Sequence, residues 1–258
     1  MSSPGPIGPN FAPTPPGPDD SVAVLPPVTY FTPVEGDKTV RYKFLDRIHE
    51  AEFEVIDNDI LLVRNALPWM GELTRVCEEF DLWEQAKVIG NDGEIGTDDY
   101  ARTSPATEVS ADADPKLGRS HDLLRGIETL FVQAYQKFVN PRAHVSKGTG
   151  YSLLKYSDGQ FFREHVDVIP PDLSYVTVSD EGRTTKVTTS VLAHRRLTLT
   201  AFWSTDDIEG GDLVFPRQKL RIKPNCGDLI VFPSSFGFPH DAEAVTAGVK
   251  YTLVTWFM

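Results

Sequence analysis

Cysteine is almost missing from this chain. Cys77 and Cys226 stand far apart in 258 residues, with neither a CxxC pair nor a Cys/His zinc spacing. Both read as reduced core thiols, so neither a disulfide framework nor a thiolate metal site is expected. Long apolar runs are missing too, and no basic segment leads into an apolar one at the start. The chain therefore reads as soluble, unsecreted and cytoplasmic, with no membrane partner. Basic residues are in deficit, 25 Lys and Arg against 37 Asp and Glu, for a formal net charge of −12. Such a surface repels a phosphate backbone, and no Lys/Arg run offers a local exception, which argues against nucleic acid as partner. What is present is a hydrophobic fraction of 40%, enough for a well-filled core in one large domain or two small ones.

Residues 1–27 are dominated by Pro, Gly, Ser and Asp (Pro4-Gly5-Pro6, Pro15-Pro16-Gly17-Pro18). Such a segment buries too little apolar surface to offset its ordering entropy, so a disordered tail is expected, followed by a single domain over 28–258. Asp59–Arg64 reads as a strand. A helix opened by Pro68 follows, with Trp69, Leu73, Val76, Cys77 and Phe80 at three- and four-residue spacing. Residues 90–116 read as a long loop, and His121–Asn140 as a second helix striped by Leu124, Ile127, Phe131, Ala134, Tyr135 and Phe138. Beyond Pro141 the pattern turns to short alternating runs between Gly/Pro turns. These predict a mainly β, two-sheet jelly roll (a double-stranded β-helix) buttressed by the two N-terminal helices.

The chemistry concentrates in the β part. His165 and Asp167 lie two apart in Phe161–Val168, and on a strand such residues share a face. With one further imidazole they would hold a divalent iron and leave its opposite side open. His240, after an apolar strand and a Pro-Ser-Ser-Phe-Gly-Phe-Pro turn, is the candidate. His49 and His121 fall in helical or linker patterns, His144 in a polar approach, and His194 beside Arg195 and Arg196. Lys250 sits in the mostly apolar strand 249–257. Buried lysines are rare unless paired, and no acid lies nearby in that strand, so a ligand carboxylate could be the partner. Against this stands a solvent-facing edge lysine. Gly210-Gly211 and Gly227-Asp228 read as turns.

Taken in order, these residues resemble a known family. Tyr156-x-x-Gly159-Gln160-x-x-x-x-His165-x-Asp167, Arg195-x-x-Thr198, Glu209-Gly210-Gly211-x-Leu213-x-Phe215-Pro216, Pro224-x-x-Gly227-Asp228-Leu229-Ile230-x-Phe232, His240 and Gly248-x-Lys250-Tyr251-x-x-x-x-Trp256 look like the Fe(II)- and 2-oxoglutarate-dependent dioxygenases. Within them the pattern is similar to the prolyl 4-hydroxylase group, as is Arg102-Thr103-Ser104. The resemblance implies that His165, Asp167 and His240 bind Fe(II). It implies that Lys250, aided by Tyr156 and Thr198, holds the far carboxylate of 2-oxoglutarate, and that Arg102 and Trp256 line the substrate side. Dioxygen would be the co-substrate, ascorbate the reductant, and a prolyl residue in a peptide or protein the target. A free amino acid or another protein residue is the alternative, and a non-catalytic jelly-roll binding module the reading from another class. The chain departs from the group in residues 168–192, long enough for an extra hairpin, and in Asp241 after the distal histidine.

Overall fold

The computed structural model describes residues 38–44, 47–79, 81–89, 95–109, 115–145, 148, 150–168, 176–180, 183–187 and 195–258. The expected N-terminal tail and the side chains of Phe80 and Ile127 lie outside the described parts. Within them the chain runs β1 (Thr39–Phe44), β2 (Arg47–Ile56), β3 (Ile60–Arg64), α1 (Met70–Glu79), β4 (Glu84–Gln85), β5 (Val88–Ile89), β6 (Ile95–Gly96), β7 (Pro105–Val109) and α2 (Pro115–Phe138). It continues through β8 (Tyr151–Ser157), β9 (Phe162–His165), β10 (Val176–Asp180), β11 (Arg183–Val187), β12 (Leu197–Ser204), β13 (Glu209–Gly210) and β14 (Leu213–Phe215). It ends with β15 (Leu220–Ile222), β16 (Leu229–Pro233), β17 (His240–Ala242), β18 (Val245–Ala247) and β19 (Val249–Phe257).

Two sheets carry the site. The larger has nine strands in the order β1-β2-β3-β16-β12-β19-β8-β7-β4, and the smaller has four in the order β15-β14-β17-β9. This is the expected jelly roll with buttressing helices. The period-two alternation of the central strands explains how the layers stack. In β19 the odd residues Tyr251, Leu253 and Phe257 join Leu197, Leu199 and Ala201 of β12 and Leu229 and Val231 of β16 in one core. Met70, Leu73 and Cys77 of α1 and Leu124, Phe131 and Tyr135 of α2 complete it. The opposite face turns toward the small sheet. There Ile60, Leu62, Phe202, Ile230 and Phe232 pack on Leu213, Phe215 and Ile222.

Several sequence expectations are corrected. Residues 90–116 are not one loop: β7 pairs with β8 from Ala106↔Leu154 to Val109↔Tyr151 and extends the large sheet. Its Pro-Ala-Thr-Glu-Val composition masks that role. The stretch holding His49 is neither helix nor linker but β2, with Ala51 and Phe53 buried between exposed glutamates. The second helix begins at Pro115, six residues earlier than expected. Asp228 is more than a turn residue. It is buried, pairs with Arg64, and accepts from the backbone N–H groups of Asn65 (3.2 Å) and Asn225 (2.9 Å), tying β3 to β16. The expected extra hairpin exists as β10–β11, in register from Val176↔Val187 to Asp180↔Arg183.

Candidate active site

His165, Asp167 and His240 converge, with their ligand atoms all within 4.8 Å of one another. The two histidines face each other across the β17–β9 ladder, His240↔His165, beside a bulge. Asp167 does not share a strand with His165, contrary to the two-residue argument. Strand β9 ends at His165, and the following bend turns the carboxylate between the rings. Its Oδ1 lies 3.8 Å from His165 Nε2 and its Oδ2 3.7 Å from His240 Nε2.

Both tautomers follow from the backbone. His165 Nδ1 is 2.8 Å from the Arg163 carbonyl and His240 Nδ1 is 3.1 Å from that of Phe238. A carbonyl only accepts, so each Nδ1 carries the proton and each Nε2 keeps its lone pair free for a cation on the side it shares with Asp167. Burial pushes the His165 imidazole down to about 3, reinforced by His240 and opposed by Asp167, so the ring is neutral at pH 7. A neutral imidazole is the form that binds metal. Burial would raise Asp167, but the two imidazoles, the Thr198 hydrogen bond and Arg195 hold it below the usual carboxylate range. Phe162 stacks on His165 with centroids 3.6 Å apart, and Phe232 meets His240 edge-on at 4.9 Å.

The lysine lies in the wall of the same cavity. Lys250 is 3% exposed, which rules out the edge-lysine reading. Its Nζ donates to the Gly211 carbonyl at 2.5 Å and stands 4.7 Å from the centroid of the Tyr156 ring. No carboxylate lies within ion-pair distance among the described residues. Burial lowers the ammonium to about 8, with Asp212, Glu243 and Asp241 pulling the other way. Gly211 is required here: its φ is +69° and an added Cβ would sit 3.3 Å from Lys250 Cδ. Tyr156 pairs with Lys250 in the β19–β8 ladder, while its hydroxyl bonds Ser104.

Thr198 is corrected. On β12 the residue opposite Lys250 is Ser204, six positions from Thr198. The Thr198 hydroxyl instead donates to Asp167 Oδ2 at 2.6 Å. The threonine nearer Lys250 along the strand is Thr252, two residues on and on the same face of β19. It is 7% exposed and lines the cavity, and its Oγ1 has no hydrogen-bond partner among the described residues. An orphaned buried hydroxyl beside a buried ammonium fits an oxygen-rich anion. That period-two relation was legible in Lys250-Tyr251-Thr252.

Arg102 and Trp256 both line the cavity. Arg102 Nε donates to Ser104 Oγ at 3.0 Å and its guanidinium lies 4.6 Å over Phe162, with burial lowering its pKa. Trp256 is covered at 3.5 Å by Arg195, whose Nη1 donates to the Asp167 carbonyl at 3.1 Å. Ser234 had no functional signal of its own in the sequence, and Arg195 entered only through the Arg195-x-x-Thr198 motif. The cavity encloses about 1370 Å³ and runs from Lys250 and the triad to Trp83, Gln85 and Tyr100.

Comparison with known proteins agrees with this geometry. Residues 151–258 match the family described as the 2OG-Fe(II) oxygenase superfamily. Human prolyl 3-hydroxylase 2 is 37% identical over 60 residues, 21% of this chain and 8% of that protein. Human prolyl 3-hydroxylase 3 is 39% identical over 56 residues, 20% of this chain and 8% of that one. The chain thus spans under a tenth of the length of these curated relatives. Among solved structures, a prolyl hydroxylase of Trichoplax adhaerens, in complex with a hypoxia inducible factor peptide fragment, superposes with a TM-score of 0.57 at 15% identity, covering 78% of this chain and 84% of its own. A Pseudomonas putida prolyl-4-hydroxylase gives 0.50 at 14% identity, covering 77% and 91%. At these identities the two structures establish the fold. The family match bears out the resemblance to the Fe(II)- and 2-oxoglutarate-dependent oxygenases over residues 151–258, and no helix among the described residues is long and apolar enough to cross a membrane.

Proposed function

We propose that this protein is an Fe(II)- and 2-oxoglutarate-dependent dioxygenase that hydroxylates an unactivated C–H bond, on a prolyl residue of a peptide or protein. One observation carries the reading. A single cavity holds two imidazoles and a carboxylate converging as a facial triad, together with a buried lysine lacking a carboxylate partner among the described residues. That donor set suits ferrous iron with open positions. Lys250 and Thr252, with the Tyr156 ring under the ammonium, would receive the far carboxylate of 2-oxoglutarate. When bound, iron with 2-oxoglutarate and dioxygen supplies the oxidant, and succinate and carbon dioxide leave as the alcohol forms. Ascorbate would keep the iron reduced.

The chain's own residues orient and exclude. The Arg163 and Phe238 carbonyls hold the Nδ1 protons so that both Nε2 atoms face the metal position. Phe162, Phe215 and Phe232 crowd the imidazoles with rings and limit access of water. Arg102, Arg195 and Trp256 lie where a substrate would meet the triad. A peptide is favoured over a free amino acid by the cavity. Its roughly 1370 Å³ exceeds the range of about 300–1,000 Å³ typical of small-ligand sites and extends out to Trp83 and Tyr100.

The test is succinate release with Fe(II), ascorbate and 2-oxoglutarate across proline-rich peptides, the Met1–Pro27 segment and free amino acids. Mass spectrometry follows any added oxygen. Turnover with a prolyl peptide, lost in His165→Ala, is the expected result. Turnover with a free amino acid alone overturns the substrate assignment. No succinate from folded, iron-loaded protein under any condition points to a binding module instead.

A further inference from the structure

The carboxylate of Asp167 is held by more than its own backbone. Its Oδ2 receives the Thr198 hydroxyl proton at 2.6 Å, and Thr198 Oγ1 lies 2.9 Å from Ser234 Oγ. All three side chains are buried. A metal-binding carboxylate is ionised and can only accept. Thr198 therefore spends its proton on Asp167, and its oxygen must accept from Ser234. The chain has one direction, Ser234 to Thr198 to Asp167. It leaves Oδ1, the oxygen on the His165 side, without a protein donor in this relay.

Ser234 is also bound to the ligand-bearing segments through its backbone. Its carbonyl accepts from Val168 N–H at 3.1 Å, next to Asp167, and its own N–H donates to the Arg196 carbonyl at 3.0 Å. It lies at the end of β16, where the turn that delivers His240 begins. One small residue thus touches the bend presenting Asp167, the strand carrying Thr198 and the turn leading to His240. Valine or alanine would fill a buried site at either position as well. A purely packing role gives no reason for two hydroxyls in series beneath a carboxylate.

We propose that Ser234 is a positioning residue for the metal centre, acting through Thr198 to hold Asp167 with Oδ2 engaged and Oδ1 turned toward the metal. The inference rests on the metal-binding reading of the triad. Outer-shell partners of metal ligands typically contribute about 10–100-fold in metal affinity. The expected loss is in that range for Thr198→Val and roughly 3–10-fold for Ser234→Ala, which leaves the direct bond to Asp167 in place. Because the two act in series, their effects do not add.

The experiment is a double-mutant cycle on Mn(II) and Co(II) affinity of the full chain, measured by calorimetry or chelator competition, with no turnover needed. The expected result is that Ser234→Ala weakens binding in the parent protein but not in the Thr198→Val background, while Thr198→Ser stays within about threefold of the parent. Circular dichroism melting of the metal-free proteins accompanies each value. Equal weakening by Ser234→Ala in both backgrounds overturns the relay, and so does no weakening in the parent. If Thr198→Val does not fold, Thr198→Ser decides, since a large loss there despite the retained hydroxyl also overturns it. Failure of the parent protein to bind either metal refutes the proposed function rather than the relay.

Discussion

The two faces of the nine-stranded sheet are made by the same strands, and they differ in what they leave unsatisfied. Toward α1 and α2, β19 presents Tyr251, Leu253 and Phe257 to a closed apolar core. Toward the small sheet it presents Lys250, Thr252, Val254 and Trp256 to a cavity. The helix face buries apolar surface and contributes stability. The cavity face buries an ammonium without a carboxylate partner among the described residues and an orphaned hydroxyl, both of which cost stability. One face makes the strand endure, and the other spends part of that margin on a poised site.

Lys250→Met separates the two faces most strongly. By analogy with a broken buried pair, worth about 3–5 kcal/mol, 2-oxoglutarate affinity falls on the order of 100-fold or more. Metal-free melting temperature does not fall, because a buried charge is removed. Leu253→Ala, next door on the other face, should do the reverse. It costs about 2–5 kcal/mol in denaturant unfolding, as large-to-small core changes do, while Mn(II) affinity of the remaining folded protein holds. A melting loss in Lys250→Met equal to that in Leu253→Ala would erase the distinction between faces.

Thr252→Val is smaller and tests the same contrast. A hydrogen bond to a charged group contributes about 1.5–3 kcal/mol, so 2-oxoglutarate affinity drops about tenfold or more. Affinity for pyruvate, which lacks the far carboxylate, stays unchanged. Equal loss for both acids would remove Thr252 from the anion site. The gentlest probe is pH. Lys250 is lowered to about 8 in the folded protein, from an ordinary value near 10.5. Between these values the unfolded chain binds more protons, so metal-free stability rises with pH across that window. An anion needs the protonated lysine, so calorimetry near pH 8.5 in buffers of different ionisation enthalpy should reveal proton uptake with 2-oxoglutarate. Absence of uptake would mean that Lys250 is already charged by another group.

Legibility followed the same division. Alternation in Leu197–Trp203 and Lys250–Phe257 made these strands readable, because one face of each is apolar, with Thr255 the one interruption. The β2 segment carried the same signal, Ala51 and Phe53 between glutamates, but its charge obscured it. For β7 there was little to read, since Pro-Ala-Thr-Glu-Val becomes a strand only because β8 offers it an edge. Thr198 was recognised as a residue of interest and given the wrong partner. Its neighbour across the cavity is set by a bend after β9 that no periodicity announces.

The sequence alone determined the residue types and their local direction: two imidazoles, a carboxylate and a lysine among apolar strands, with glycines where the backbone must turn. Local steric preference and hydrophobic periodicity act over a few residues and are written into the chain. Tertiary structure decided which oxygen of Asp167 is engaged, that Ser234 lies beneath it, and that the Thr198 hydroxyl meets Asp167. Those facts depend on strand register and on contacts between residues 31 and 36 positions apart or more. Only the packed sheets bring such distant groups within hydrogen-bond range.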